Sequence, residues 1–363
     1  METVKQGQFY DTHIPYAKLT GSTPYDIGHQ HGLAAKLQIS RAIEIYTKLY
    51  EDSRGVTWSV ARSRAQKYLP VLNKHPDILQ ELQGVADGSD RDLIDILTLN
   101  VRSEITMVDV SDGCTSLAQR QTTTGDVFVG QNWDWIPDID ECTIWLDVIQ
   151  EGKPRILFLA EAGIIGKYGY NNSGLAIMLN AIPANEVAYD KLPIHFTLRR
   201  ALEQTSVDAA INYLNQNGCA SCANLLMGDP KRWCTVEVSP KKIAVVLPDE
   251  TTGVVSHTNH IVDEELAKLF PCDKPFMSSP VRYKRLIQLN QDADASFESF
   301  RERLSDTENG HQSICHYPVP NAVGLGRCVT LYTIIVNTTT LEGNFTIGQP
   351  ADNPTQYKLF FSD

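Results

Sequence analysis

Long apolar runs are absent from this 363-residue chain, and no segment reaches the roughly 20 apolar residues that a membrane-spanning helix needs. Its opening stretch, METVKQGQFYDTH, lacks the apolar core of an export signal, so a cytoplasmic protein without membrane contact is expected. Basic charge is scarce too: 32 Lys and Arg stand against 44 Asp and Glu, for a formal net charge of −12. That balance argues against a nucleic-acid backbone or an anionic membrane surface as the main partner. The basic clusters at Arg199-Arg200 and Arg282 to Arg285 are too short to reverse it.

Eight cysteines are too few for a disulfide scaffold in a chain of this length, and without export they are expected to be reduced. Cys219-x-x-Cys222 is the one close pair. It lacks the second pair or paired histidine of a structural metal site, so no metal is expected. Asn171-Asn172-Ser173, Asn337-Thr338-Thr339 and Asn344-Phe345-Thr346 then match the glycosylation pattern by chance. What is present, 42% hydrophobic and 21% charged residues, is ordinary globular usage and enough for a sizeable core. No internal repeat or long linker divides the chain, which favours one compact unit.

The first third reads as helical. Thr23-Pro24-Tyr25-Asp26 supplies a hydroxyl N-cap, a proline at the first helical position and an acid at the third, and predicts a long helix from Ile27 to about Tyr50. A second helix is expected around Ile78 to Ala86, stopping at Gly88. A third, capped by Ser89, should run through Leu93, Ile96, Leu97 and Val101. These helices are read as cover for sheets, and His29-Gln30-His31 as surface.

Beyond Cys114 the texture becomes β-like. Strands are expected at Asp126 to Trp133, Thr143 to Ile149, Arg155 to Leu159, Leu175 to Leu179, Cys234 to Val238, Ile243 to Leu247 and Val329 to Asn337. Helices are expected at Phe196 to Leu214, Asp263 to Leu269 and Val281 to Leu289, and a hairpin in the tail with Glu342-Gly343 near its reversal. Strands in blocks and helices in blocks indicate an α+β fold of stacked sheets covered by helices.

Cys114, in DVSDGCTSLA, admits three readings: a buried small hydrophobe, half of a metal site or disulfide, or a nucleophile. Gly113 before it would allow a turn or left-handed backbone. Thr115 and Ser116 follow it, and the stretch GQNWDW brings Asn132 and Asp134 back at the end of the next strand.

The segments DGCTSL, GQNWDW, AEAGIIGKYGYNNSGLAIMLNAI, SHTNHI and GLGRCVTLYTIIVN occur in an order that resembles the fungal isopenicillin N acyltransferases, the acyl-coenzyme A:6-aminopenicillanate acyltransferases of secondary metabolism. The resemblance extends upstream through TPYDIGHQHGLAAKLQISRAI. It implies an αββα N-terminal-nucleophile sandwich made as a precursor that cuts itself between Gly113 and Cys114. A helical small chain, 1–113, and a β-rich catalytic chain, 114–363, would then form one compact domain, the small chain remaining a partner of the large. The Cys114 α-amine freed by the cut could serve as base, with no histidine required.

The resemblance also assigns roles residue by residue. Asp134 matches the acid that orients the new amine, with a strand-end turn acid as the plain alternative. Asn171 and Asn259 match asparagines facing the oxyanion, with turn chemistry as the alternative. Arg327 matches an arginine near the nucleophile, with a salt-bridged structural role as the alternative. The glycines of EAGIIGKYGYNNSGL are not a dinucleotide fingerprint, since no helix pattern follows them. Two departures, Gly326 where the penicillin enzymes carry serine and a C-terminal Phe361-Ser362-Asp363 unlike the peroxisomal tripeptide, point to a different substrate.

The function expected on these grounds is acyl transfer from a thioester such as an acyl-coenzyme A, or from an amide, to a small amine through an acyl-Cys114 intermediate. Acyl-coenzyme A would be substrate, and no bound cofactor is expected. Amide hydrolysis by the same residues is the alternative, because the partition between amine and water depends on the pocket. A binding protein of the same fold without turnover is a third reading.

Overall fold

The computed structural model describes residues 6–106, 113–183, 186–271 and 278–362. Two sheets form its centre. In hydrogen-bonded order, the first contains Gln6–Gln8, Gln356–Leu359, Glu342–Ile347, Val329–Asn337, Val127–Trp135, Gly113–Arg120 and Val254–His257. The second contains Ala244–Val246, Trp233–Val238, Ala223–Gly228, Ala176–Ala181, Gly169–Asn171, Ile156–Glu161, Thr143–Gln150 and Tyr16–Gly21.

The sheets stack face to face, with Gly113–Arg120 and Val127–Trp135 lying against Ala176–Ala181 and Ala223–Gly228. Helices Ser278–Leu289 and Phe297–Leu304 cover the outer face of the first sheet. Ile194–Leu202, Val207–Asn217, Pro24–Ala34 and Lys36–Arg54 cover the second. The layers are therefore αββα, and the stacked α+β architecture expected from the sequence is the one formed. Central strands covered on both faces need no polar side, which is why all nine residues of Val127–Trp135 are buried. No helix among the described residues is long and apolar enough to cross a membrane.

The N-terminal third is more than cover. Tyr16–Gly21 pairs in parallel with Thr143–Gln150, and Gln6–Gln8 pairs in parallel with Gln356–Leu359, so it supplies an edge strand to each sheet. The Thr23 cap forms as expected, its side chain accepting from the Asp26 N–H. The helix beyond it breaks at Ala35 (φ −118°, ψ 19°) and restarts at Lys36.

Gly88 does not end the second helix, which runs Pro76–Ser89 and closes on Asp90 in the left-handed conformation. It belongs instead to a glycine contact. Gly28 and Gly32 on Pro24–Ala34 meet Gly84 and Gly88, and a Cβ on any of the four would overlap main-chain atoms of the facing helix. The next helix, Leu93–Asn100, is capped by Asp92, whose carboxylate accepts the Ile94 N–H at 2.8 Å. The helix expected over Phe196 to Leu214 is two, Ile194–Leu202 and Val207–Asn217, because Ser206 caps the second. In the tail, the reversal falls at 338–341, and Glu342 and Gly343 open the returning strand.

His31 is buried, contrary to its surface reading. Its Nε2 accepts the Gly163 N–H at 3.0 Å, and burial pulls its pKa down to about 3.

Candidate active site

Cys114 is the second residue of the Gly113–Arg120 strand, which runs antiparallel to Val127–Trp135 with Gly113 opposite Asp134 and Cys114 opposite Trp133. Gly113 has ordinary extended geometry and is not among the glycines with positive φ. The turn expected of it is therefore not its role. A Cβ there would lie 2.8 Å from Asp134 Oδ2 and 2.9 Å from Asp134 Cβ, so glycine is required by the approach of a carboxylate. Residues 107–112, on the other side of the expected cut, lie outside the described residues.

Two side chains, Asn259 and Arg282, hold the Cys114 backbone, and Asp134 stands beside Gly113. Asn259 follows the Val254–His257 strand, and its Oδ1 accepts the Cys114 N–H at 3.0 Å while its Nδ2 donates to the Ala181 carbonyl at 2.9 Å. Arg282, on Ser278–Leu289, donates from Nη1 to the Cys114 carbonyl (2.6 Å) and to Thr115 Oγ1 (3.0 Å). Its Nη2 donates to Asn259 Oδ1 at 2.7 Å. The guanidinium is fully enclosed, and burial pulls its pKa down against the opposing pull of Asp134. Asp134, buried as well, accepts from Thr330 Oγ1 on Oδ1 at 2.7 Å; its Oδ2 has no hydrogen-bond partner among the described residues.

Of the five residues assigned from the sequence, Cys114, Asp134 and Asn259 are thus brought together. Asn171 is not. Its Nδ2 donates to the Leu202 and Gln204 carbonyls, both at 2.7 Å, and its Oδ1 accepts from the Ser173 and Leu175 N–H groups. That side chain is occupied in tying a turn to the end of a helix. Arg327 lies on a short 3₁₀ turn, 45% exposed, with Nη2 2.7 Å from Asp138 Oδ2. This is the salt-bridged alternative, in a cleft lined also by Arg41, Lys48 and Ile136.

Two residues escaped the sequence reading. Arg282 was visible only as part of a basic cluster, although Ser279, Arg282 and Leu286 form the buried face of their helix. A lone arginine on an apolar stripe was the available signal. Asn180 stands in the otherwise apolar strand AIMLNA. Its Oδ1 accepts from Ser116 Oγ, two residues along the strand from Cys114 and on the same face, and its buried Nδ2 has no partner among the described residues.

Behind Trp133, the cross-strand neighbour of Cys114, the ammonium of Lys167 lies 3.2 Å from the ring centroid. Lys167 and Arg102 both pair with buried Glu161. Burial alone would raise the Glu161 carboxyl, but the two cations hold it well below the usual range.

The fold is an αββα sandwich in which Cys114 lies at the start of an inner strand of the first sheet. The chain belongs to the acyl-coenzyme A:6-aminopenicillanic acid acyl-transferase family, whose pattern it matches over residues 121–352. It is 31% identical over 345 residues, 94% of this chain and 95% of the other, to the acyl-coenzyme A:6-aminopenicillanic-acid-acyltransferase 40 kDa form of Emericella nidulans. It is 25% identical over 246 residues, 60% of this chain and 62% of the other, to the beta-alanyl-dopamine/carcinine hydrolase of Drosophila melanogaster. Among solved structures, it is similar to a variant of the conjugated bile acid hydrolase from Clostridium perfringens, with TM-score 0.49 and 14% identity over 68% of this chain and 92% of that one. The family and the Emericella relative are acyltransferases by name, and the Drosophila relative is a hydrolase.

Proposed function

We propose that this protein is a self-processing cysteine enzyme that carries an acyl group as a thioester on Cys114 and passes it to a small amine. The observation that supports this most directly is the setting of the Gly113–Cys114 peptide. Asn259 holds its nitrogen, and a buried carboxylate oxygen of Asp134, without a hydrogen-bond partner among the described residues, stands against Gly113. In the cut, Cys114 Sγ attacks the Gly113 carbonyl carbon, the C–N bond breaks, and the nitrogen gains a proton to become the α-amine of Cys114. Asp134 Oδ2 is the acceptor available beside this step. Water then hydrolyses the thioester, returning the thiol and leaving Gly113 as a carboxylate.

In turnover the α-amine stays on Asn259 Oδ1. Its reference pKa of ~7.7 to 8.0 leaves a sizeable neutral fraction to take the thiol proton. The thiolate attacks the donor carbonyl, and the leaving group departs with that proton. Arg282 fixes the Cys114 carbonyl and Asn259 together, and Asn180 Nδ2 is the side-chain amide available to the oxyanion, where such a donor is worth ~3 kcal/mol. An amine then attacks the thioester. Acyl-coenzyme A is a donor that fits this sequence of steps. The relationship to the Drosophila hydrolase favours a second reading, in which water takes the acyl group.

The two chains remain associated after the cut, since residues on the small-chain side supply a strand to each sheet and buried ion pairs cross the seam. Arg199 Nη1 lies 2.8 Å from Glu81 Oε1, and Arg102 Nη2 2.9 Å from Glu161 Oε1.

The test is intact mass spectrometry of freshly purified wild type beside Cys114→Ala. Two masses for the wild type, the larger beginning at Cys114, and one for the variant are expected. A wild type that stays in one piece would remove the nucleophile assignment.

A further inference from the structure

A cavity of about 140 Å³ is lined by Ile182, Pro183, Asn259, His260, Ile261, Ala267 and Phe270. Asn259 is common to this cavity and to the Cys114 nitrogen, and Ala181, which anchors the Asn259 amide, adjoins Ile182. The cavity therefore lies beside the residue that holds the Cys114 nitrogen.

Among the described residues its lining holds no Asp, Glu, Lys or Arg. His260 donates or accepts through Nδ1 with Ser279 Oγ at 2.7 Å, and burial, with His257 beside it, lowers its pKa to about 4. Ser279 Oγ also accepts the Asn259 N–H at 2.7 Å, so the histidine wall and the asparagine are braced by one hydroxyl. The nearby cations are engaged elsewhere: Lys241 lies over the Phe270 ring and pairs with Glu186 at 2.7 Å, and Arg282 binds Cys114 and Asn259.

We propose that this cavity binds the apolar body of the amine partner, a single ring or an alkyl group of similar size, and discriminates against an amine that carries a carboxylate on that body. The assignment rests on the acyl-Cys114 reading above and adds the class of amine to it. The argument is one of proton transfer. When a neutral amine attacks the acyl-Cys114 carbonyl, the N–C bond forms, the C–S bond breaks, and the proton leaving the amine nitrogen goes to the thiolate through the Cys114 α-amine. The attacking nitrogen must therefore lie beside that α-amine, and its substituent must extend past Asn259 into the adjacent space. An apolar cavity of about 150 Å³ accommodates a benzene-sized group. A carboxylate in it would be desolvated with no cationic side chain among the described lining residues to meet it.

The experiment uses the processed wild type, an S-acetyl thioester donor and four amines: 2-phenylethylamine, phenylalaninamide, phenylalanine and ethylamine. Amide formation is followed by mass spectrometry. The specificity constant for 2-phenylethylamine is expected to exceed that for ethylamine, and for phenylalanine, by about tenfold or more, given the apolar area of one ring. Phenylalaninamide should fall closer to 2-phenylethylamine than to phenylalanine. If water is the natural acceptor, the same order is expected for hydrolysis of the four acetyl amides.

Ala267→Trp, which fills the cavity, should bring the 2-phenylethylamine to ethylamine ratio to about one. Equal use of phenylalanine and 2-phenylethylamine, or a ring preference that persists in self-cleaved Ala267→Trp, would overturn the assignment while leaving the catalytic reading intact. Should Ala267→Trp fail to fold, the wild-type amine order alone decides. A wild type that is neither cut nor acylated on Cys114 removes both.

Discussion

Gly113 and Asp134 face each other across neighbouring strands so closely that a methyl group on Gly113 would lie 2.8 Å from Asp134 Oδ2. A glycine at the proposed cleavage position is easily read as a hinge, but here it makes room for the carboxylate. Gly113→Ala should push the carboxylate or the strand aside and slow self-cleavage by about tenfold or more, since small displacements of reacting groups cost rate heavily. The fraction cut against time, read by intact mass, checks this. Cleavage at the wild-type rate would show that the contact is not needed.

Arg282 tests the support of the Cys114 backbone. Arg282→Lys keeps a positive charge but loses the planar fork that reaches Cys114, Thr115 and Asn259 together. Turnover is expected to fall by roughly ten- to a hundredfold, the equivalent of one or two hydrogen bonds to a charged donor. Steady-state rates on self-cleaved protein would measure it, and an unchanged rate would reduce Arg282 to a packing residue.

The two asparagines should separate cleanly. Asn180→Ala removes the amide near Ser116 and should reduce turnover by about 10² to 10³ in the protein that still folds, with some loss of stability because Ser116 Oγ and Asn224 Nδ2 lose their common acceptor. Asn171→Ala abandons two carbonyls and two N–H groups and should cost about 2 to 4 kcal/mol of stability, with the folded enzyme still active. The opposite pattern would return Asn171 to the active site.

The glycine contact between Pro24–Ala34 and Pro76–Ser89 makes a prediction of sign. In an isolated helix Gly→Ala stabilises by about 1 kcal/mol. Gly84→Ala should instead destabilise, by about 2 kcal/mol or more, because the added methyl overlaps the Tyr25 carbonyl of the facing helix. Urea denaturation gives the sign directly.

Acid should weaken the fold in a defined window. Burial lowers His31 and His195 to about 3 and His260 to about 4, from an ordinary value of 6.5. The folded state therefore binds fewer protons than the unfolded chain below pH ~6.5. Stability complete above that pH is lost as pH falls toward 4, by up to ~1.4 kcal/mol per pH unit for each histidine. Glu81 and Glu104, raised by burial, act in the opposite sense, so the readout is a difference. Urea midpoints at pH 7.5, 6.0 and 5.0 should fall less steeply for His31→Gln than for wild type. Parallel slopes would mean that His31 does not titrate on unfolding.

The features legible in the sequence are those whose physics acts over a few residues. The Thr23–Asp26 cap, the strand Val329–Asn337 and the helix capped by Asp263 follow from hydrogen bonds and periodicities contained within their own segments. The order of the motifs was likewise enough to set the fold class and the family. Contacts between distant segments were decided only by tertiary structure: Asn259 lies 145 residues from Cys114 and Arg282 168 residues from it, and no local pattern joins either to that strand. Asn171 and Asn180 show the limit most plainly. Both are buried asparagines in β-strands, and which one meets the Cys114 strand depends on how the two sheets stack. Local sequence thus determined the elements and their order, whereas close packing between elements decided why Gly113 and Gly88 are glycines and which polar groups surround Cys114.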